Sequence, residues 1–285
     1  MPITVSEHRQ LPRAECVIHY FVSGQAGRPL IVLTHPAFAD HRAFDHQLDF
    51  FAPHYRLITL DLIGHGLSRY SGGREQLDAS AAHIQAIVKA EGYDRAHLVG
   101  VSLGSLIAQY VALQYPAQTA SVTVVGGYPI SGDNQAVQKA QRGEMLKWLP
   151  RALLSMNAFR RYVARGVAVN PAEQDRFYDM AQGFHLRSFQ AMQGMGKILQ
   201  QRPAALRLDA PRPCPLLLIC GDRDLPIALR VARDWHAADP ETELVLIKDA
   251  GHCANMDQPD AFNAALATFL ARSLTATPCP NNHLS

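Results

Sequence analysis

Residues 96–105 read Ala-His-Leu-Val-Gly-Val-Ser-Leu-Gly-Ser and place one serine, Ser102, between Gly100 and Gly104. Apolar residues precede the serine and a stretch with helical spacing follows, so the segment predicts a strand that turns sharply into a helix. At such a turn the serine takes strained backbone angles, and any side chain larger than hydrogen at 100 or 104 would collide across it. The hydroxyl then stands exposed at the tip, beside the first N–H groups of the helix, as in a nucleophile elbow. Gly-x-Ser-x-Gly also occurs in ordinary tight turns, so the motif has to be judged by its surroundings.

On the N-terminal side, residues 16–22 and 30–34 are apolar and separated by Ser-Gly-Gln-Ala-Gly-Arg-Pro, which reads as two strands joined by a turn. Asp40 is placed to cap a helix running to about Phe51, with Phe44, Leu48 and Phe51 on one face. Residues 56–62 read as a strand, and 75–91 as a helix carrying Leu77, Ile84, Ile87 and Val88 and closed by Gly92. Beyond the elbow, a helix over 103–114 stops before Pro116 and a strand follows at 121–125. Strands at 215–220 and 244–247 are each followed by a helix, the last over about 259–270. This alternation predicts a mainly parallel sheet covered on both faces. From Tyr128 to Leu208 the strand-like runs disappear, and Met, Arg and aromatic residues dominate, which predicts a helical insertion. The organisation expected is a catalytic core of 1–127 with 209–274, a cap of 128–208, and a frayed tail of 275–285 containing Pro-Cys-Pro-Asn-Asn.

Bulk properties narrow the function. A chain of 285 residues with 48% hydrophobic and 18% charged content and a formal net charge of +2 gives no electrostatic reason to expect nucleic acid or anionic membrane as partner. Apolar runs such as Leu30–Leu33 are strand-length, far short of the ~20 residues of a membrane span. Residues 1–10 do not resemble a secretory signal, so the default expectation is a cytoplasmic protein, monomeric or homodimeric, with a small-molecule partner. The five cysteines form no Cys-x-x-Cys pair and are read as reduced thiols. Thirteen histidines, including His35, His41 and His46, show no His-Glu-x-x-His pattern, so no metal is expected.

A serine hydroxyl needs a base within reach, held in the right tautomer by a carboxylate. In a parallel sheet such groups meet in loops at the C-terminal strand ends. The loop after 216–220 carries Gly221-Asp222-Arg223-Asp224, and the loop after 244–248 carries Asp249-Ala250-Gly251-His252. The chain order is therefore Ser102, an aspartate, His252. These motifs, with Asp61-Leu-Ile-Gly-His-Gly-Leu-Ser68, resemble the α/β-hydrolase family over almost the full chain. The resemblance implies an α/β fold with an eight-stranded, mainly parallel sheet and a helical cap inserted after the sixth strand. It favours Asp224 over Asp222 as the acid, because the family's acid falls at the second position of that loop. Asp222 and Asp249 are then turn residues, Asp257 an N-cap for the final helix, and Cys253 a packing residue.

The departure from the family pattern is at His35-Pro36-Ala37-Phe38, where the family usually carries His-Gly. Proline lacks an N–H, and an X-Pro bond makes a cis peptide less costly. The residue after the glycine maps onto Ala37. The expected oxyanion hole therefore uses the N–H groups of Leu103 and Ala37, with Phe38, Trp148 and Phe184 lining the substrate pocket and His35 structural. The function expected is a serine hydrolase for a small or medium, largely apolar ester or lactone, with Ser102, His252 and Asp224 as a triad and no cofactor or metal. Two alternatives remain: carbon-carbon bond hydrolysis of a vinylogous diketone, and a hydrolase-like sensor signalling through cap movement. Met145, Leu149, Met156, Phe159, Phe177, Met180, Phe189, Met192 and Met195 offer apolar surface, as substrate contacts or as packing between helices. Arg142, Arg151, Arg160 and Arg161 fit either a carboxylate site or solvated helix faces.

Overall fold

The computed structural model describes residues 6–130, 134–195 and 214–275. Residues 276–285 of the expected tail, and 131–133 and 196–208 of the expected cap, lie outside the described residues. One sheet is built in the order β1-β2-β4-β3-β5-β6-β7-β8. Its strands are β1 (Glu7–Pro12), β2 (Val17–Ser23), β3 (Leu30–Thr34), β4 (Arg56–Leu60), β5 (Ala96–Val101), β6 (Thr119–Val125), β7 (Leu216–Gly221) and β8 (Glu243–Ile247). From β4 through β8 neighbouring strands run parallel, whereas β2 is antiparallel to β4 and β1 to β2.

Strands β2 and β3 are consecutive in the chain, as expected, but do not pair with each other, because β4 lies between them and pairs with both. Local composition marks a strand but not its neighbour. Strand β1 has no counterpart in the sequence reading. It pairs with β2 alone at the sheet edge and is largely exposed, so its residues lack the apolar alternation that marks a half-buried strand.

The inner strands read as continuous apolar runs because both of their faces are covered. Leu30 and Val32 of β3, Leu98 of β5 and Leu218 of β7 point into one core layer, while Ile31, Leu33, Val99 and Ile219 point into the other. The first layer is closed by α2 (Ser80–Ala90) and α3 (Leu103–Gln114), through Ile84, Ile87, Ile107 and Val111. The second is closed by α1 (Asp45–Phe51) and the C-terminal helix, through Phe51, Phe262, Leu266 and Phe269. Asp40 does cap a helical start, accepting from the Arg42 N–H, but the first turn is a 3-10 helix over His41–Phe44 that runs into α1. Glu75 stays outside the helix that begins at Ser80 after a 3-10 turn over Leu77–Ala79.

Between β6 and β7 the described residues contain α4 (Gln135–Leu154), α5 (Met156–Val167), α6 (Pro171–Met180), α7 (Ser188–Ala191) and 3-10 turns, without a strand. After β7 come α8 (Pro226–Ala238), then β8, then α9 (Ala254–Asp257) and α10 (Pro259–Thr275). Among the described residues, no helix is long and apolar enough to cross a membrane.

A buried polar network ties α1 to the C-terminal helices. The Gln47 side-chain amide donates to the Asn255 carbonyl at 3.0 Å and to Asn263 Oδ1 at 3.1 Å, and the Asn255 amide donates to the Ala43 carbonyl at 2.7 Å. Removing one member leaves its partners buried and unpaired. Gln47→Ala is therefore expected to lower stability by about 2 to 3 kcal/mol, read as a lower denaturant midpoint at unchanged slope.

Candidate active site

Ser102 sits at the tip of the β5–α3 turn with φ 51° and ψ −113°, a left-handed conformation that a non-glycine residue rarely adopts. The surroundings hold it there. Its N–H donates to the Val125 carbonyl at 2.8 Å, and its carbonyl accepts from the Ser105 hydroxyl at 2.6 Å and the Ser105 N–H at 3.0 Å. A Cβ on Gly100 would meet the Gly104 carbonyl oxygen at 2.2 Å, and one on Gly104 would meet the Thr34 carbonyl oxygen at 2.0 Å. The turn can form only because both positions lack side chains.

Two other strand ends supply the imidazole and the carboxylate. Asp224, buried beyond the end of β7, holds both carboxylate oxygens 3.0 Å from His252 Nδ1. The Leu225 N–H donates to Asp224 Oδ1 at 2.7 Å. With Nδ1 committed to Asp224, Nε2 is the ring nitrogen left for chemistry in the cavity. Burial works to raise the Asp224 pKa, but His252, the Leu225 N–H and the Cys220 thiol outweigh it and hold the carboxyl below its usual range. Burial also works to lower the His252 pKa, and the charge and hydrogen bond of Asp224 reverse this, leaving it above the ordinary imidazole value. Asp222 is exposed. Asp249 is paired with Arg223 in a surface turn. Cys253 is buried, and burial pushes its thiol well up.

Ser102, Leu103, Ala37 and His252 line one cavity of about 1150 Å³. Leu103 opens α3, so its N–H has no partner within the helix. No peptide among the described residues is cis, so Pro36 is reached by a trans bond. His35 is buried, with Nδ1 2.7 Å from the Pro36 carbonyl oxygen and Nε2 accepting the Leu62 N–H at 3.0 Å. Both of its nitrogens are therefore used to shape the loop. Similarly, buried Asp61 accepts from the N–H groups of His41 and Leu67 and from His41 Nδ1, which makes the 61–68 segment a scaffold.

Of the three expected pocket residues, Phe38 and Trp148 line the cavity and Phe184 does not. Phe184 is completely buried and packs edge-on against Phe38 at 4.9 Å, behind the wall. Phe159 supports Phe38 in the same way at 5.1 Å, and Trp148 stacks on Phe189. The Phe38 backbone has φ 72°, a strained geometry for an aromatic residue. Met145 and Met195 reach the cavity, whereas Phe177 and Met180 are core residues. Arg142, Arg151 and Arg161 stand on its exposed rim. Arg160 is buried and donates to the carbonyls of Ala181, Gln182 and Phe184, so it braces the helices rather than facing a ligand. Gly126, not singled out from the sequence, lies against the imidazole. Its φ is +60°, and a Cβ there would meet His252 Nδ1 at 2.9 Å.

A sequence profile described as the alpha/beta hydrolase family matches residues 31–265. The chain belongs to that family. Among curated relatives it is 23% identical over 264 residues to 3-oxoadipate enol-lactonase 2 of Acinetobacter baylyi, covering 92% of this chain and 96% of the relative. The crystal structure of the enol-lactonase from Burkholderia xenovorans LB400 is similar with a TM-score of 0.73 at 21% identity, over 92% of this chain and 100% of that one. A structure from a work on carboxylesterases of Nitrososphaera gargenis gives a TM-score of 0.77 at 18% identity, over 94% and 99%. At these identities the structural likeness establishes the fold.

The sequence reading also misplaced Asp257. It is not the N-cap of α10. Its side chain is only 5% exposed and faces the other way. Oδ2 accepts the Gly251 N–H at 2.8 Å, Oδ1 accepts the Asn170 N–H at 2.9 Å, and both oxygens lie 3.0 Å from the Val169 nitrogen. The Cys253 N–H donates to the Val167 carbonyl at 2.8 Å. One carboxylate thus joins the histidine loop to the α5–α6 connection above the cavity. An amide in its place cannot accept at all these sites. Asp257→Asn is expected to lower kcat for ester turnover by about 10- to 100-fold through misplacement of His252, with KM little changed. Steady-state kinetics check this, and an unchanged kcat contradicts it.

Proposed function

We propose that this protein is a serine hydrolase that cleaves a small or medium carboxylic ester or lactone with a largely apolar acyl part through an acyl-enzyme. The observation that carries this reading is the convergence of a strained, cavity-facing serine with a histidine whose far nitrogen is bound by a buried carboxylate. Ser102 Oγ attacks the carbonyl while His252 Nε2 takes its proton. The imidazolium returns that proton to the leaving oxygen, then the neutral ring activates water to release the acid. Asp224 orients the ring and offsets its developing charge. The N–H groups of Leu103 and Ala37 are assigned to the oxyanion, where each donor is worth about 3 to 4 kcal/mol. These steps run on side chains and backbone alone.

Apolar residues near the serine, including Phe38, Leu106, Tyr128 and Trp148, suit a hydrocarbon acyl group. The proposed lid is the segment 128–208. Among its described residues, Val137, Trp148, Tyr162 and Val167 reach the cavity. The relatives named as enol-lactonase and carboxylesterase support the ester or lactone class.

Ser102→Ala is expected to abolish turnover of p-nitrophenyl esters while leaving the melting temperature within a few degrees of the parent. Retained turnover would contradict the proposal. The pH profile gives a second test. His252 must be neutral to act as base, and its pKa is raised, so kcat/KM falls as pH drops through a midpoint above 6.5. In Asp224→Asn the carboxylate charge that raises the His252 pKa is lost while burial, which lowers it, remains. The midpoint should move down relative to the parent, while the rate falls by about 10³- to 10⁴-fold.

A further inference from the structure

On the first-layer side of the sheet, far from any motif spacing in the sequence, three side chains converge. Cys16 precedes β2, Glu75 lies in the loop before α2, and His83 lies on α2 itself. Cys16 Sγ donates to Glu75 Oε2 at 2.8 Å, and His83 Nε2 stands 3.4 Å from the same oxygen. All three donor atoms lie within 4.8 Å of one another. The His83 side chain is 2% exposed, and its buried Nε2 makes no hydrogen bond among the described residues. A buried ring nitrogen whose nearest acceptor, Glu75 Oε2, already takes the Cys16 thiol is poorly satisfied and calls for an explanation.

The loop that presents Glu75 is built rigidly. Glu15 Oε2 accepts the N–H groups of Arg74 and Glu75, the Ser71 hydroxyl donates to the Glu15 carbonyl, and the Tyr70 hydroxyl donates to the Gly73 carbonyl. The Arg13 N–H donates to the Cys16 carbonyl at 2.8 Å, which turns Cys16 toward the loop. Arg13 Nε also stands 3.6 Å from Glu75 Oε1, the oxygen not shared with the other two donors.

We propose that Cys16, Glu75 and His83 form a binding site for a borderline-soft divalent cation of the zinc class. A thiolate, an imidazole and a carboxylate together make a donor set that selects such an ion over calcium or magnesium. Thiolate and carboxylate together cancel its charge. The 3.4 Å between His83 Nε2 and Glu75 Oε2 matches the spacing of about 3.4 Å between neighbouring ligands at about 2.05 Å in a tetrahedron. The cation takes the place of the thiol proton, which is released to solvent. Sγ and Oε2 then move from a hydrogen-bonded contact to about 3.5 Å apart. Water completes the fourth position, because Cys16 and Glu75 are only half-buried. The ion fastens the β1–β2 edge to α2, and none of its ligands lines the cavity that holds Ser102.

The test uses the full chain freed of metal by dialysis against a chelator. Zn²⁺ is titrated in competition with a chromophoric chelator, and Co²⁺ binding is followed by absorption. The expected result is one equivalent of Zn²⁺ bound and a thiolate-to-cobalt charge-transfer band in the near ultraviolet. Cys16→Ser should abolish that band and weaken Zn²⁺ binding by at least about tenfold, while ester turnover stays at the parental rate. Glu75→Gln, at a half-buried position, gives a second ligand variant should His83→Ala fail to fold. Equal Zn²⁺ affinity in parent and Cys16→Ser, or a Co²⁺ complex without the thiolate band, would overturn the proposal. Either result would place binding elsewhere, as at the adjacent imidazoles of His8 and His19.

Discussion

Between β5, the start of α3 and the end of β3 there is no room for a methyl group. The Gly104 carbonyl lies where a Gly100 side chain would be, and the Thr34 carbonyl lies where a Gly104 side chain would be. This approach brings the loop after β3 against the N-terminus of α3, so the segment carrying Ala37 and the helix carrying Leu103 are positioned by one contact. It also forces Ser102 into left-handed backbone, a strain of about 1 to 3 kcal/mol, offset by the hydrogen bonds from Ser102 to Val125 and from Ser105 to Ser102. Ser102 and the two N–H groups proposed as oxyanion donors therefore share a single steric origin. The other two strand ends have only to deliver an imidazole and a carboxylate to a place already fixed.

The parts of this arrangement that were legible in the sequence are those set by local chemistry. Glycines flanking a serine after an apolar run mark the elbow. The loops at 221–224 and 249–252 could be found because parallel strands bring their C-terminal ends together, and Asp224, unlike Asp222, reaches His252. The family match confirms the fold that these motifs implied. Strand pairing was not legible, since nothing in residues 17–34 reveals that β4 inserts between β2 and β3. Edge strand β1 was missed because an exposed strand need not alternate.

Long-range polar contacts were equally hidden. Asp257 stands where a helix cap would be expected, yet it binds backbone N–H groups at Gly251, Val169 and Asn170. Arg160 reads as either a carboxylate ligand or a solvated cation and is instead buried against three carbonyls. Phe184 reads as a pocket residue and stands behind Phe38. In each case the residue type was informative and its direction was not, because direction depends on packing between helices distant in sequence. The Cys16, Glu75 and His83 cluster is the extreme example: no spacing rule joins residues 16, 75 and 83.

The central claim is that Ser102, activated by His252 and Asp224, forms a covalent acyl intermediate. Its most direct measurement is intact-mass and peptide mass spectrometry after exposure to a serine-directed fluorophosphonate. One adduct per chain is expected, mapped to the peptide containing Ser102, and forming far more slowly in Asp224→Asn. Failure of the folded protein to label, or stoichiometric labelling at another residue, would contradict the account.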